Sequence, residues 1–162
     1  MWTKQNVIEI SKFAKVNIVT DAIEEHDCTN VSDPSKWNID RDASFFHMCS
    51  NETVNGIEFN WDTFPFHLFP KDMPICVDMS SNIGTNVIPW DKVAVVYAGA
   101  QKNLGTAGCT VIIVREDLLG HADKDIPIMC DWNTFEKAPN TYYNTPAVVP
   151  MYITGLNCAY MN

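Results

Sequence analysis

An α/β fold, with a mainly parallel sheet and helices on both of its faces, is predicted by three features of the sequence. The short apolar runs "ASFFHMCS" and "MPICVDMSS" end in small polar residues, which is typical of strands covered on both faces. The first 16 residues place apolar side chains at helical spacing and lead into another short apolar run. Two further apolar runs, "VAVVYAGA" and "CTVIIV", follow in the second half of the chain.

The remaining elements follow from local patterns, in chain order. Trp2–Val16 has the spacing of a helix, and "VNIVTD" after it predicts a short buried strand. The segment "HDCTNVSDPSKWNID" is rich in Asp, Asn, Ser and Pro, so it predicts a surface loop with a helical turn at Pro34–Trp37. The tail after Pro150 is predicted to be helical.

The turn between "VAVVYAGA" and "CTVIIV" is too short to hold a crossover helix. Parallel neighbours need such a crossover, whereas antiparallel strands can be joined by a tight turn. The two runs should therefore pair as an antiparallel hairpin at one side of the sheet.

Composition excludes several classes of protein. A chain of 162 residues that is 46% apolar is long enough for one compact domain. The net charge of −9 and the pI near 4.7 argue against a nucleic-acid partner, which would require clustered Lys and Arg. The sequence has no run of about 18 apolar residues and no signal-peptide pattern, so no membrane contact and a cytoplasmic location are expected.

The six cysteines are scattered along the chain, without a C-x-x-C pair or a finger-like Cys/His spacing. Such spacing would be needed for a zinc site, and a disulfide framework is typical of small secreted domains. We expect reduced thiols and no bound metal.

Lys102 is the charged residue between the two hairpin strands, surrounded by Gly, Ala, Asn and Thr. An isolated lysine in a turn is usually no more than a solvated residue. Here the small neighbours Gly99, Gly105 and Gly108 predict open space in which a ligand could approach the backbone. A lysine at the edge of an apolar site can also supply the neutral amine that forms a Schiff base.

Asp78 lies at the carboxyl end of the run "MPICVDMSS". It could be a helix N-cap or a loop hydrogen-bond acceptor. Alternatively, it could bind a ligand, because ligands of parallel sheets bind beyond the carboxyl ends of the strands. A protonated pyridine nitrogen is one cation that would pair with it. Thr53 follows the end of another apolar run, where its hydroxyl could meet the same ligand.

Other site chemistries receive little support. "GAQKNLGTAG" fits neither the P-loop pattern nor the dinucleotide-binding pattern. The pairs Cys49 with His47 and Cys130 with His121 could be drawn as nucleophile and base, but such pairs arise by chance in a chain with six Cys and four His.

Four motifs, "DMSSN", "YAGAQKNLGTAGCTVIIVREDLLG", "CSNETVNGIEF" and "YNTP", resemble those of the phosphoserine aminotransferase family. This is a pyridoxal-phosphate-dependent family of the class V, fold-type I aminotransferases. The likeness extends from Trp2 to about Leu156. It implies that residues 1–162 form part of a pyridoxal-phosphate-binding large domain, without the family's N-terminal segment and C-terminal small domain.

The resemblance assigns roles position by position. It makes Lys102 the catalytic Schiff-base lysine and Asp78 the partner of the pyridine nitrogen. The other implied cofactor-binding residues are Trp2, which would stack on the ring, Thr53 and Gln101, which would hydrogen-bond the cofactor, and Asn144 with Thr145, which would reach the cofactor phosphate of a neighbouring subunit. Asn55 departs from the pattern, since the family commonly has histidine there.

The implied reaction transfers an amino group from glutamate to 3-phosphohydroxypyruvate and gives phosphoserine and 2-oxoglutarate, in a homodimer. The family's substrate-binding arginines have no counterpart here, because Arg41 and Arg115 occur at a loop and after a strand. Two interpretations therefore remain open: part of an active aminotransferase, or an inactive remnant that binds cofactor weakly or pairs with another subunit.

Overall fold

The computed structural model describes residues 2–21 and 29–162. Within them the helices and strands, in chain order, are α1 (Trp2–Ile10), β1 (Phe46–Cys49), β2 (Asn51–Glu52), β3 (Ile57–Glu58), β4 (Ile75–Asp78), β5 (Val95–Gly99), β6 (Thr110–Val114), α2 (Trp132–Glu136) and α3 (Val148–Met161). Short 3-10 helices occur at Pro34–Lys36, Phe66–Leu68, Glu116–Leu118, Ile128–Cys130 and Pro139–Thr141.

The main sheet has four strands in the order β1-β4-β5-β6. β1 and β4 are parallel, as are β4 and β5, whereas β5 and β6 are antiparallel. The predicted mixed, mostly parallel sheet and its hairpin edge are therefore confirmed. β2 and β3 form a separate antiparallel hairpin that the sequence did not predict, because strands of two residues show no alternation of apolar and polar side chains.

The two faces of the sheet differ in burial. Met48, Val77 and Val96 are paired across β1, β4 and β5, and each is at most 4% exposed. The next row of paired residues points to the opposite face, because successive side chains of a strand alternate. That row is half-buried and contains Asp78 and Tyr97. The first face packs into the hydrophobic core, and the second face carries half-buried polar side chains that include Asp78.

An aromatic cluster extends the core. The Phe64 ring lies within 6.1 Å of five other aromatic rings, measured between centroids. Those rings belong to Trp37, Phe59, Trp61, Phe66 and Phe69. Tilted and edge-on aromatic pairs contribute beyond their buried area, so this cluster fixes the long connection between β3 and β4 against the sheet.

Two predictions near the amino terminus are wrong. The helix ends at Ile10 rather than Val16, where the Ser11 hydroxyl donates a hydrogen bond to the Val7 carbonyl and Phe13 is left 89% exposed. A helix that buries no apolar face gains little from continuing.

The run "VNIVTD" is irregular, not a strand. Its Asn17 side chain and Val19 carbonyl are hydrogen-bonded to Asn38, in a loop, and not to a neighbouring strand.

Other local predictions are confirmed. A 3-10 turn is present at Pro34–Lys36, with the Asp33 carboxylate accepting a hydrogen bond from the Ser35 amide. The tail is helical from Val148. The part of the predicted surface loop at 26–28 lies outside the described residues. Among the described helices, none is long and apolar enough to cross a membrane.

Candidate functional site

Lys102 lies on the turn between β5 and β6, as predicted. Backbone hydrogen bonds close this turn: the Ala100 amide donates to the Cys109 carbonyl at 3.0 Å, and the Gly105 amide donates to the Ala100 carbonyl at 2.6 Å. The Asn103 side chain donates to the Ile83 carbonyl at 2.6 Å. The turn therefore has a defined conformation and is held against the segment that follows β4.

Helix α3 supports the same turn from outside. Asn157 donates to the Leu104 carbonyl at 2.7 Å. A Cβ atom added at Gly105 would lie 3.1 Å from the Thr154 hydroxyl, and one added at Gly108 would lie 3.0 Å from Pro150 Cγ. The prediction that these glycines leave space for a ligand is therefore wrong at Gly105 and Gly108, because a helix occupies that space.

Three predicted site residues meet at the Lys102 amine. Lys102 Nζ donates a hydrogen bond of 2.7 Å to Thr53 Oγ1. The same nitrogen lies 5.8 Å from the centroid of the Trp2 ring, within the range of a cation–π contact. The Lys102 side chain is otherwise exposed, so its amine is open to an incoming molecule.

Thr53 is placed by the β2–β3 hairpin. The Gly56 amide donates to the Glu52 carbonyl at 2.8 Å, and Gly56 adopts a φ of +68°. A side chain would be strained at that φ, so glycine permits the tight turn. Asn55, the departure from the family pattern, is exposed in this turn.

Asp78 ends β4 on the half-buried face of the sheet. Its Oδ1 atom accepts hydrogen bonds from the Ser80 amide at 2.9 Å and from the Ser80 hydroxyl at 2.7 Å. The Gly99 amide donates in turn to the Ser80 hydroxyl at 3.1 Å. Sequence reasoning missed Ser80, although its position two residues after Asp78 is the spacing of an Asx turn.

The pKa of the Cys49 thiol is affected by the charges of both Asp78 and Lys102. Burial, followed by the negative charges of Asp78 and Glu52, raises the pKa of the Cys49 thiol to about 12, and Lys102 partly opposes this rise. One thiol thus lies within the fields of both site charges. A neutral thiol is a poor nucleophile, so Cys49 is not suited to the Cys/His chemistry considered from the sequence.

His47 bonds to Tyr97, and this pair was also missed. His47 Nε2 and the Tyr97 hydroxyl lie 3.0 Å apart, with the two rings stacked at 6.0 Å. Burial lowers the pKa of His47, and Asp78 partly offsets the effect. Burial, followed by the charge of Asp78, raises the pKa of Tyr97 to about 12. Both side chains are therefore neutral near pH 7 and border Asp78.

The other predicted residues do not join the Lys102 amine. The Gln101 side chain is exposed and folds over Gly99, where an added Cβ would lie 2.6 Å from Gln101 Oε1. Asn144 donates to the sulfur of Met129 at 3.5 Å, and Thr145 is exposed. The roles assigned to these three residues stay predictions.

An amine, a hydroxyl and an indole ring thus meet at the turn after β5, and the Asp78 carboxylate ends the neighbouring parallel strand β4. This donor set fits pyridoxal phosphate, which needs an amine for its aldehyde, an aromatic neighbour for its ring and an anion for its pyridine nitrogen. Within the described residues, no group of three or more His, Cys, Asp or Glu side chains could hold a metal ion.

Comparison with known proteins identifies the class. The chain matches the family Aminotransferase class-V over residues 5–162 and belongs to that family. A phosphoserine aminotransferase of Janthinobacterium sp. (strain Marseille) is 41% identical over 160 residues, which are 99% of this chain and 42% of that protein. The phosphoserine aminotransferase of Pseudomonas putida is 39% identical over 159 residues.

Solved structures of phosphoserine aminotransferases contain the same fold. The phosphoserine aminotransferase of Bacillus circulans subsp. alkalophilus superposes with a TM-score of 0.86 at 30% identity, covering 99% of this chain and 43% of the other. A pyridoxal-phosphate-bound phosphoserine aminotransferase from Trichomonas vaginalis gives a TM-score of 0.84 at 30% identity and is covered over 46% of its length. The predicted resemblance is confirmed, and the chain spans about 42% of the length of the curated relatives it matches.

Proposed function

We propose that this chain is the cofactor-binding part of a pyridoxal-phosphate-dependent phosphoserine:2-oxoglutarate aminotransferase of serine biosynthesis. The observation that carries the proposal is the Lys102 amine, held at 2.7 Å by the Thr53 hydroxyl and at 5.8 Å from the Trp2 ring. The names of the relatives supply phosphoserine as a substrate, and the family resemblance implies glutamate as amino donor and 3-phosphohydroxypyruvate as acceptor.

Pyridoxal phosphate supplies, when bound, an aldehyde that joins amines and a pyridine ring that draws electrons away from the substrate Cα. Lys102 would bind that aldehyde through Nζ. When it does not hold the aldehyde, the Nζ amine would act as the general base toward the proton on the substrate Cα and as the general acid that delivers this proton to the carbon of the aldehyde group. Thr53 would keep this amine within reach by accepting its hydrogen bond.

The remaining residues would hold the ring. Trp2 would cover one face of it, and the Asp78 carboxylate would keep a proton on the pyridine nitrogen, since the ion pair favours the charged form. Gln101 would add a hydrogen bond. Asn144 and Thr145 would serve the phosphate of a second subunit in a homodimer.

The chain offers little for binding the anionic groups of the substrates. Both arginines are engaged elsewhere: Arg41 Nη1 donates to the Leu68 carbonyl at 3.3 Å, and Arg115 pairs with Asp117. Neither is free to clamp a carboxylate or phosphate. This observation favours the second candidate function, a chain that binds the cofactor but turns over substrate very slowly by itself, because catalysis depends on positioned substrate.

Covalent labelling tests the proposal. Mixed with pyridoxal phosphate, the purified chain should develop a visible absorbance band that borohydride reduction fixes to Lys102. Lys102→Ala should abolish the band, whereas Lys92→Ala should keep it, because Lys92 is an exposed lysine that pairs with Asp91 at 2.8 Å. Peptide mapping that finds the label on another lysine would overturn the assignment.

A turnover assay distinguishes the two candidate functions, an active aminotransferase and a chain that only binds the cofactor. Conversion of phosphoserine with 2-oxoglutarate should be absent or very low beside a full-length relative under saturating cofactor. Activity close to that of the relative, and abolished by Lys102→Ala, would show that the chain is active without further arginines.

A further inference from the structure

Strand β5 extends beyond its parallel neighbour. β4 ends at Asp78, and the last backbone bond between the two strands is donated by the Met79 amide to the Tyr97 carbonyl at 2.9 Å. Further along β5, the Gly99 amide donates to the Ser80 hydroxyl at 3.1 Å. The Ser80 side chain thus supplies the acceptor that the strand no longer supplies, and it satisfies a half-buried amide.

The same hydroxyl acts on Asp78. A serine hydroxyl has one hydrogen to donate and two lone pairs to accept with. Ser80 donates its hydrogen to Asp78 Oδ1 at 2.7 Å while it accepts from Gly99. The Ser80 amide donates to the same Oδ1 atom at 2.9 Å. Two donors on one oxygen fix the rotation of the carboxylate and hence the direction of its second oxygen.

We propose that Ser80 is a positioning residue that ties the Asp78 carboxylate to Gly99, at the base of the turn that carries Lys102. The acid and the amine lie on different segments, and the Ser80 hydroxyl joins these segments directly. The inference rests on the proposed function, because Asp78 needs this fixed direction only if it meets a pyridine nitrogen. Ser80 itself touches neither the ring nor the substrate in this assignment.

The chain offers a matched control. Ser81 is the adjacent serine and also uses its hydroxyl twice, donating to the Asn51 backbone carbonyl at 2.9 Å and accepting from the Asn51 side-chain Nδ2 at 3.1 Å. Removing either hydroxyl costs two hydrogen bonds. Of these two serines, only Ser80 bonds through its hydroxyl to the Asp78 carboxylate and the Gly99 amide.

The first measurement needs no cofactor. Amide hydrogen exchange followed by NMR should show the Gly99 amide exchanging about tenfold faster in Ser80→Ala, because it loses its acceptor. Ser80→Thr keeps a hydroxyl and should restore protection. Ser81→Ala should leave Gly99 unchanged. An unchanged Gly99 rate in a folded Ser80→Ala variant would overturn the inference.

The second measurement separates positioning from general stability. The affinity of each variant for pyridoxal phosphate is compared with its affinity for the analogue in which a C–H group replaces the ring nitrogen. Ser80→Ala should weaken binding of pyridoxal phosphate about tenfold and leave the analogue unaffected, since the analogue makes no ion pair with Asp78. Ser81→Ala should weaken neither, and Ser80→Thr should bind both ligands like the unaltered chain.

The outcomes distinguish the two proposals. If the unaltered chain binds neither ligand, the proposed function fails and the inference fails with it. If the unaltered chain binds pyridoxal phosphate and Ser80→Ala weakens both ligands equally, only the inference fails, because Ser80 then supports the fold and not the direction of the carboxylate.

Discussion

The thiols of Cys49 and Cys76 show how the polar face of the sheet acts on single residues. Burial raises the pKa of Cys49 to about 12 and that of Cys76 to about 11. Cys130 and Cys158 are exposed and free. Because the thiolate is the reactive form, the two pairs should differ strongly in reactivity.

Alkylation tests this difference. With iodoacetamide near neutral pH, Cys130 and Cys158 should be labelled first, and Cys49 and Cys76 should react at least about a hundredfold more slowly, since each pKa unit removes about nine-tenths of the thiolate. Mass spectrometry of peptides taken over time measures the four rates. Labelling of Cys49 as fast as that of Cys130 would contradict the prediction.

His47 should make the fold sensitive to acid. Its pKa is lowered from the ordinary value of 6.5 by burial, so the folded chain binds fewer protons than the unfolded chain below that value. The stability from neutral His47 is therefore present above about pH 6.5 and lost as the pH falls through the lowered value. Urea unfolding at a series of pH values should show this loss.

Two variants test whether His47 causes this loss of stability in acid. His47→Asn should flatten the dependence of the unfolding free energy on pH in the acid range. His121→Asn should not, because His121 is exposed and contacts only the Asp117 carbonyl among the hydrogen bonds of the described residues. Equal slopes for His47→Asn and the unaltered chain would show that another group is responsible.

Single residues differed in how far the sequence could place them. Lys102 and Asp78 stand out because each follows an apolar run and carries a charge, whereas Trp2 gives no signal apart from the family resemblance. Ser80 and the His47–Tyr97 pair could not be predicted, since their contacts depend on the strand order β1-β4-β5. Strand order is set by long-range packing that short patterns do not record.

At the scale of elements, helix α3 packs so closely on the Lys102 turn that a side chain added at Gly108 should lower the stability of the chain. Gly108 has a φ of +107° and an added Cβ would lie 3.0 Å from Pro150, whereas Gly56 has a φ of +68° and open space around it. Both positions disfavour a side chain through the backbone, but only Gly108 would also push against a helix.

Gly108→Ala should therefore destabilise the chain more than Gly56→Ala. The backbone term is about 1–2 kcal/mol at each site, and overpacking adds about 1–3 kcal/mol at Gly108. Urea unfolding of the two variants side by side measures the difference. Equal losses would mean that α3 moves away from the turn without cost.

Elements were predicted well where burial dictates the pattern and poorly elsewhere. Strands β1, β4 and β5 are apolar and consist of buried or half-buried residues. Strand β6 is equally apolar but mostly exposed, and each of the four strands was located to within a few residues. The run "VNIVTD" has the same apolar character but pairs with a loop. Its composition is compatible with a strand, and only the absence of a neighbouring strand among the described residues excludes one.

The molecule as a whole exposes more surface than its mass requires. Its accessible area is 10787 Å², whereas a compact monomer of 18.3 kDa has about 8,100 Å². Part of the excess is an apolar stripe on α3, formed by side chains that are 49–92% exposed: Val149, Tyr152, Leu156 and Tyr160. Their spacing of three or four residues puts them on one side of the helix.

We therefore expect the chain to associate. Exposed apolar patches of this kind mark interaction surfaces or lead to aggregation. Sedimentation velocity over a range of concentrations should show self-association, which Tyr152→Glu with Leu156→Glu should reduce.

Val87→Glu is the control, since Val87 is 90% exposed and lies outside the stripe. A chain that stays monomeric at every concentration would contradict the expectation.

The β5–β6 hairpin also sets an order of events during folding. Its strands are neighbours along the chain and can pair early, whereas the parallel pairs β1–β4 and β4–β5 must first close long connections. Lys102 would thus acquire its turn before Asp78 reaches its place. A cofactor that contacts both residues recognises only the completed sheet, so it should slow unfolding and leave the rate of folding almost unchanged.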